Sequence, residues 1–154
     1  MPNYGQNSRN ALNTAEADLV VLFNEVIKYF DNTIVYANRD QALQFELYKK
    51  GRSFVNGIWI ITDQSRVVTY KDGYQKMSMH NYMPSRAVDA VPWPVNWKDL
   101  DRMRYFAGHV MGIAALLKAE NKIMHEIRYG GDWNRNTILE DETFLDLCHF
   151  EIII

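Results

Sequence analysis

Cysteine is almost missing from this chain: Cys148 is the only one in 154 residues. No intrachain disulfide can form, so packing alone must hold the fold, and no oxidising compartment is needed to complete it. Long apolar runs are missing too. The longest, residues 19–23 and 152–154, fall far short of the roughly 20 residues that a membrane helix requires. Residues 1–13 are polar and lack the basic-then-apolar pattern of a secretory leader, which predicts folding in the cytoplasm. There is no excess of base. With 17 Lys and Arg against 19 Asp and Glu, the formal charge of -2 argues against nucleic acid as a partner and gives no reason to expect a membrane surface. Repeats, low-complexity tracts and linkers are absent, so residues 1–154 are read as one domain.

What is present reads as an α+β domain with a small, mostly antiparallel sheet packed with helices. Leu19, Leu22, Phe23, Val26 and Phe30 recur at helical spacing, predicting a helix over residues 15–31 with Asn13 and Glu16 as a capping box. Residues 33–37 are β-branched and aromatic and read as a strand. A second helix is expected over 40–50, with Gly51 as its C-terminal cap. Residues 58–62 and 66–70 are expected to form a hairpin around Asp63-Gln64-Ser65. A strand over 86–91 ends at Pro92-Trp93-Pro94. The strongest helix spans 97–120, where Leu100, Met103, Phe106, Ala107, Val110, Met111, Ala114 and Leu117 make one stripe. Strands are expected over 126–129 and 149–154.

Only four histidines are available for chemistry. His109 falls on the flank of the long helix and His125 precedes a strand, so both read as structural or surface residues. His80, with Asp89 nine positions on, and His149, with Asp146 three positions before it, are the suggestive pair. Two imidazoles, one carboxylate and an open position suit a catalytic zinc, which would lower the pKa of a bound water to about 7. A nearby carboxylate must then take the proton. Spacing alone leaves open the plainer reading, in which His80 and His149 are polar residues at strand ends.

Longer stretches resemble a known family. Ser78 to Pro92, SMHNYMPSRAVDAVP, resembles the S-x-H…A-x-D motif of zinc peptidases related to D-alanyl-D-alanine carboxypeptidases and to the hedgehog domain. Asp146 to Ile152, DLCHFEI, is similar to their acid-x-x-H signature. RYGGDWN (Arg128 to Asn134) followed by HFEI, and the opening YGQNSRNAL (Tyr4 to Leu12), resemble phage endolysins of the L-alanyl-D-glutamate peptidase type. Arg39, Gln44, Tyr48 and Gly51 match the segment R-x4-Q-x3-Y-x2-G of that family.

The resemblance implies the compact hedgehog and D,D-peptidase-like fold and one zinc per chain. It implies His80, Asp89 and His149 as ligands, Asp146 as general base, and Arg39 meeting a substrate carboxylate or polarised carbonyl, with the carboxylate preferred. It further implies a peptidoglycan peptide as substrate, a monomer, and release to the wall by a separate pore-forming lysis protein. The His80–Asp89 spacing is two residues longer than the family pattern, a difference assigned to residues 81–85. Ala37-Asn38 stands where the family has Gly-Tyr. Alternatives are a D-alanyl-D-alanine carboxypeptidase and a non-catalytic zinc-containing wall-binding module.

Glu151 shares a strand face with His149 and is expected either to orient that ligand or to bond at a strand edge. Cys148 points away from His149 and is set aside as a ligand. Among the tryptophans, Trp97 is expected to staple the long helix and Trp133 to pack under the Gly130-Gly131 turn. Trp59 and Trp93 are the candidates for cleft walls.

Overall fold

The structure, a computed structural model, describes residues 2–154. Ten helices and strands follow in chain order: α1 Gln6–Leu12, α2 Ala17–Val26, β1 Asn32–Tyr36, α3 Gln41–Lys49, β2 Arg52–Val55, β3 Ile58–Ile61, β4 Ala87–Pro92, α4 Leu100–Ala119, β5 Glu126–Tyr129 and β6 His149–Ile153. Strands β1, β4, β6 and β5 form an antiparallel sheet in that order, and β2 and β3 form a separate hairpin. The α+β expectation holds. No helix among the described residues is long and apolar enough to cross a membrane.

Alternation along β6 divides the sheet into a core face and a functional face. Phe150 and Ile152 point into the core, where α2 and α4 cover them. Phe150 is fully buried and lies edge-on to Phe23 at 5.6 Å, while Tyr129 stacks on it at 5.3 Å. His149 and Glu151 point the other way. Register then decides what they meet: Asp89 of β4 sits directly opposite His149, and Arg128 of β5 directly opposite Glu151.

Several sequence expectations need correction. Residues 6–12 form a helix that the apolar pattern did not reveal, and Asn13 is its C-cap. The next helix is capped by Glu16 alone, whose carboxylate accepts from the Ala17 amide at 3.1 Å. The hairpin pairs residues 52–55 with 58–61 around Asn56-Gly57. Both turn residues have positive φ, 49° and 85°, the geometry that tight two-residue turns require and that Asn-Gly favours. The Gly51 carbonyl accepts from both Thr62 and Asp63, ending the hairpin, and Asp63-Gln64-Ser65 leads into a single 3-10 turn. Residues 66–70 therefore form no strand and are free to run along the functional face. Gly51 itself is at φ 74°, as a C-terminal cap glycine should be.

Candidate active site

His80 is placed by a 3-10 turn, Met79–Asn81, closed by a reciprocal cap. Ser78 Oγ accepts from the His80 amide at 3.3 Å, and Asn81 Oδ1 accepts from the Ser78 amide at 2.8 Å. This accounts for the serine of the S-x-H motif. The turn is sewn to residues 37–39. The Arg39 amide donates to the His80 carbonyl at 2.9 Å, and Asn81 Nδ2 donates back to the Arg39 carbonyl at 3.0 Å. Asn38, one of the departures from the family pattern, donates to the Tyr82 carbonyl at 2.8 Å. The lengthened segment 81–85 is thereby tied at Tyr82, and again at Ser85, whose amide donates to the Thr14 carbonyl at 2.7 Å.

Hydrogen bonds fix both imidazoles in complementary tautomers. His80 Nδ1 lies 2.6 Å from the Ala37 carbonyl, which only accepts, so Nδ1 carries the proton. His149 Nε2 lies 2.8 Å from Glu151 Oε2 and likewise donates. In the neutral rings His80 Nε2 and His149 Nδ1 are then bare lone pairs. They converge with Asp89 Oδ1 at mutual separations of 3.0, 3.2 and 3.2 Å.

Three acceptors that close repel unless something positive lies among them. Tetrahedral zinc with bonds of about 2.0–2.1 Å would hold its ligand atoms about 3.3–3.4 Å apart, so the donor set fits that ion in type and spacing. His80, Asp89 and His149 are all buried and are the one group among the described residues able to hold a metal.

The electrostatics agree. Burial opposes a charge on Asp89, yet His80 and His149 hold its carboxyl well below the usual range. Burial lowers His80 below the ordinary histidine value, outweighing the pull of Asp89. His149 is drawn the other way: against the effect of burial, its bonds to Asp89 and Glu151 push it up to about 10. The pull these carboxylates exert on a proton there is the pull they would exert on a metal cation, which must displace that proton to bind.

Glu151 meets His149 directly, as the first of its two expected roles requires. It is buried, pairs with His149 through Oε2, and accepts from both Arg128 Nε (2.9 Å) and a terminal nitrogen of the same guanidinium through Oε1. The result is an Arg128–Glu151–His149 relay behind the ligand atoms.

Asp146 lies in the turn before β6. Its amide donates to the Gly130 carbonyl at 2.8 Å, and its carbonyl accepts from the His149 amide at 3.1 Å. A side chain at Gly130 would collide with the Asp146 backbone, which is why glycine stands there. Burial, then the Asp89 charge, raise the Asp146 carboxyl above its ordinary value, which suits a group that must accept and release a proton. Cys148 does not join the metal group; its thiol donates to Asp146 Oδ1 at 3.3 Å.

A cleft of about 400 Å³ opens over these groups, with His149, Asp146, Glu151 and Arg39 on its surface. Arg39 reaches within 3.6 Å of Asp89 Oδ2. Its buried Nε has no hydrogen-bond partner among the described residues.

Trp133 lines this cleft, and Trp59 and Trp93 do not, reversing the expected assignment. Trp133 stacks on Phe144 and lies 5.4 Å from His149, fixed by a bond from Nε1 to the Phe144 carbonyl. Trp59 instead packs in the hairpin against Phe45 and Phe54. Trp93 and Trp97 are each about half exposed, at 54%. The two remaining histidines are structural: His109 packs edge-on to Phe30, and His125 binds Asp18 Oδ2 at 2.8 Å. Sequence reasoning passed over Arg128, Tyr70, Lys71 and Phe144, which also line the cleft. Arg128 was legible in principle, since pairing 126–129 with the last strand places it opposite Glu151.

A crystal structure of Serratia marcescens L-Ala D-Glu endopeptidase ChiX shares the fold, with a TM-score of 0.64 at 20% identity over 97% of this chain and 89% of that one. No curated protein matches the chain in sequence. Residues 2–153 do match the family described as phage L-alanyl-D-glutamate peptidase, and with nearly its whole length so matched the chain belongs to that peptidase family.

Proposed function

We propose that this chain is a single-domain zinc endopeptidase that hydrolyses the L-alanyl-D-glutamate bond of peptidoglycan peptides. The observation that carries the reading is the convergence of three lone pairs, from His80 Nε2, His149 Nδ1 and Asp89 Oδ1, beneath a cleft that Asp146 also lines. Bound to those atoms, zinc would supply a Lewis acid for the scissile carbonyl and acidify the attacking water. Asp146 takes the proton from that water as the carbon–oxygen bond forms. It then returns the proton to the glutamyl nitrogen as the carbon–nitrogen bond breaks, leaving a carboxyl group on alanine, whose remaining proton passes to the freed amine. Glu151, backed by Arg128, keeps His149 in the tautomer that presents Nδ1. Arg39, already shared with Asp89 at 3.6 Å, is best placed to steady the oxygen that gains charge on the reacting carbonyl.

Mass spectrometry of purified wall digested by the protein tests this reading. New N-terminal D-glutamate supports it; released D-alanine would instead identify a carboxypeptidase, and bound zinc without any hydrolysis a binding module. As a monomeric endolysin the protein would wait in the host cytoplasm for a pore-forming lysis protein. Expressed alone, it should accumulate without lysis and clear the culture once the inner membrane is permeabilised.

A further inference from the structure

We propose that Lys71 reads the free carboxylate of the glutamyl residue and so makes the enzyme select the acid over its amide at that position. This rests on the endopeptidase reading above. A glutamyl residue has two carboxyl groups, and a peptide continues through at most one of them. The other remains an anion, or an amide where it has been modified, only a few bonds from the nitrogen released by cleavage. A cleft that takes the anion must meet it with an available cation, because an unpaired charge removed from water is costly.

Three cations line the cleft: Arg39, Lys71 and Arg128. Arg128 is committed to Glu151 through two nitrogens, and Arg39, 3.6 Å from Asp89, is the cation assigned above to the reacting carbonyl. The Lys71 ammonium has no hydrogen bond or ion pair among the described residues, although its backbone is firmly held. Gln44, fully buried beneath it, donates from Nε2 to the Lys71 carbonyl at 2.9 Å and to Thr69 Oγ1 at 3.2 Å. The Lys71 amide donates to Thr69 Oγ1 at 3.1 Å.

The next residues are held as firmly. Gly73 packs so closely on Gln44 that an added Cβ would lie 3.0 Å from it, and Asp72 Oδ1 accepts from the amides of Tyr74, Gln75 and Lys76. The neighbouring Tyr70 ring lies edge-on to Phe144 at 5.3 Å, an apolar flank that strengthens a charge pair formed beside it. Gln44, the glutamine of the matched family segment, thus acts as a positioning residue for this cation. Lysine is a compact charge with three donors on a flexible stem, suited to a carboxylate whose exact orientation varies.

The test compares kcat/KM for two synthetic peptides. Both carry the L-alanyl-D-glutamyl bond and a further residue on the γ-carboxyl; one has the α-carboxylate free and the other has it as an amide. The wild-type enzyme is expected to prefer the acid by about tenfold, mostly through KM, as fits one partly solvated charge-assisted bond. Lys71→Met should abolish the preference by slowing the acid alone, and Lys71→Arg should restore most of it. The exposed position of Lys71 leaves folding untouched, which thermal melting checks. An unchanged acid-to-amide ratio in Lys71→Met, or no preference in the wild type, overturns the inference while leaving the peptidase reading intact. Cleavage of neither peptide by the wild type overturns both.

Discussion

The two walls of the cleft are built by different physics. One wall carries His149, Glu151 and Arg128, with Asp89 buried behind them, and strand register places all four, Asp89 across from His149 and Arg128 across from Glu151. Their positions are backed by a core face in which Phe150 and Ile152 are buried under two helices. The other wall is a loop, residues 68–79, with no strand pairing. It is held by side chains reaching to backbone, Gln44 to Lys71 and Asp72 to the amides that follow. Sheet register fixes atoms to within a few tenths of an ångström, as a metal and a proton transfer demand. A pinned loop fixes a path and leaves side-chain tips adaptable. On the function proposed above, the contrast would divide the labour: the sheet wall, with the turns that carry His80 and Asp146, would hold the chemistry, and the loop wall would select the substrate.

If that division is right, damage to the sheet wall should fall on rate and metal. The largest effect is expected for Asp146→Asn, which keeps the shape but cannot accept a proton. It should cut kcat by about a hundred- to ten-thousand-fold with zinc content unchanged, measured by turnover alongside elemental analysis. A near wild-type rate would move the base elsewhere.

Next, Glu151→Ala should weaken zinc binding by about ten- to a hundredfold, read by competition with a coloured chelator. Glu151→Gln should lose much less, because its amide oxygen can still accept from His149 Nε2 and preserve the tautomer. Equal losses in the two variants would mean that the charge of Glu151 matters and its orienting bond does not.

The smallest effect belongs to the loop wall. Gln44→Leu removes two hydrogen bonds to that loop, each worth about 1 kcal/mol, and should raise KM several-fold while sparing kcat and zinc affinity. A loss of zinc with this substitution would show that the two walls are not separable.

How legible each wall was in the sequence follows from the same contrast. Alternation makes β6 readable, and with it the shared face of His149 and Glu151. The candidate ligands His80, Asp89 and His149 and the proposed base Asp146 were picked out through motifs whose order matched a family, and the structure brings the first three together. Helix α4 was legible because its stripe is long. The loop wall was not. Its path depends on where the hairpin before it ends, and the Asn56-Gly57 turn was passed over in favour of Asp63-Gln64-Ser65. That shifted the expected pairing and gave residues 66–70 to a strand they do not form.

Trp133 was misassigned for a related reason. Its place in the cleft comes from stacking on Phe144, eleven residues on in a segment without regular structure, and no periodic pattern announces that contact. Helix α1 escaped notice because it buries only Ser8 and Leu12, too few residues to make a stripe.

The account stands most directly on the meeting of His80, Asp89 and His149 at one metal. Zinc content per chain, measured for the purified wild-type protein and for His80→Ala after equal exposure to zinc and dialysis, tests it. The account predicts one zinc per chain in the wild type and essentially none in the variant, with both proteins folded by circular dichroism. A folded His80→Ala that retains one zinc per chain would contradict it.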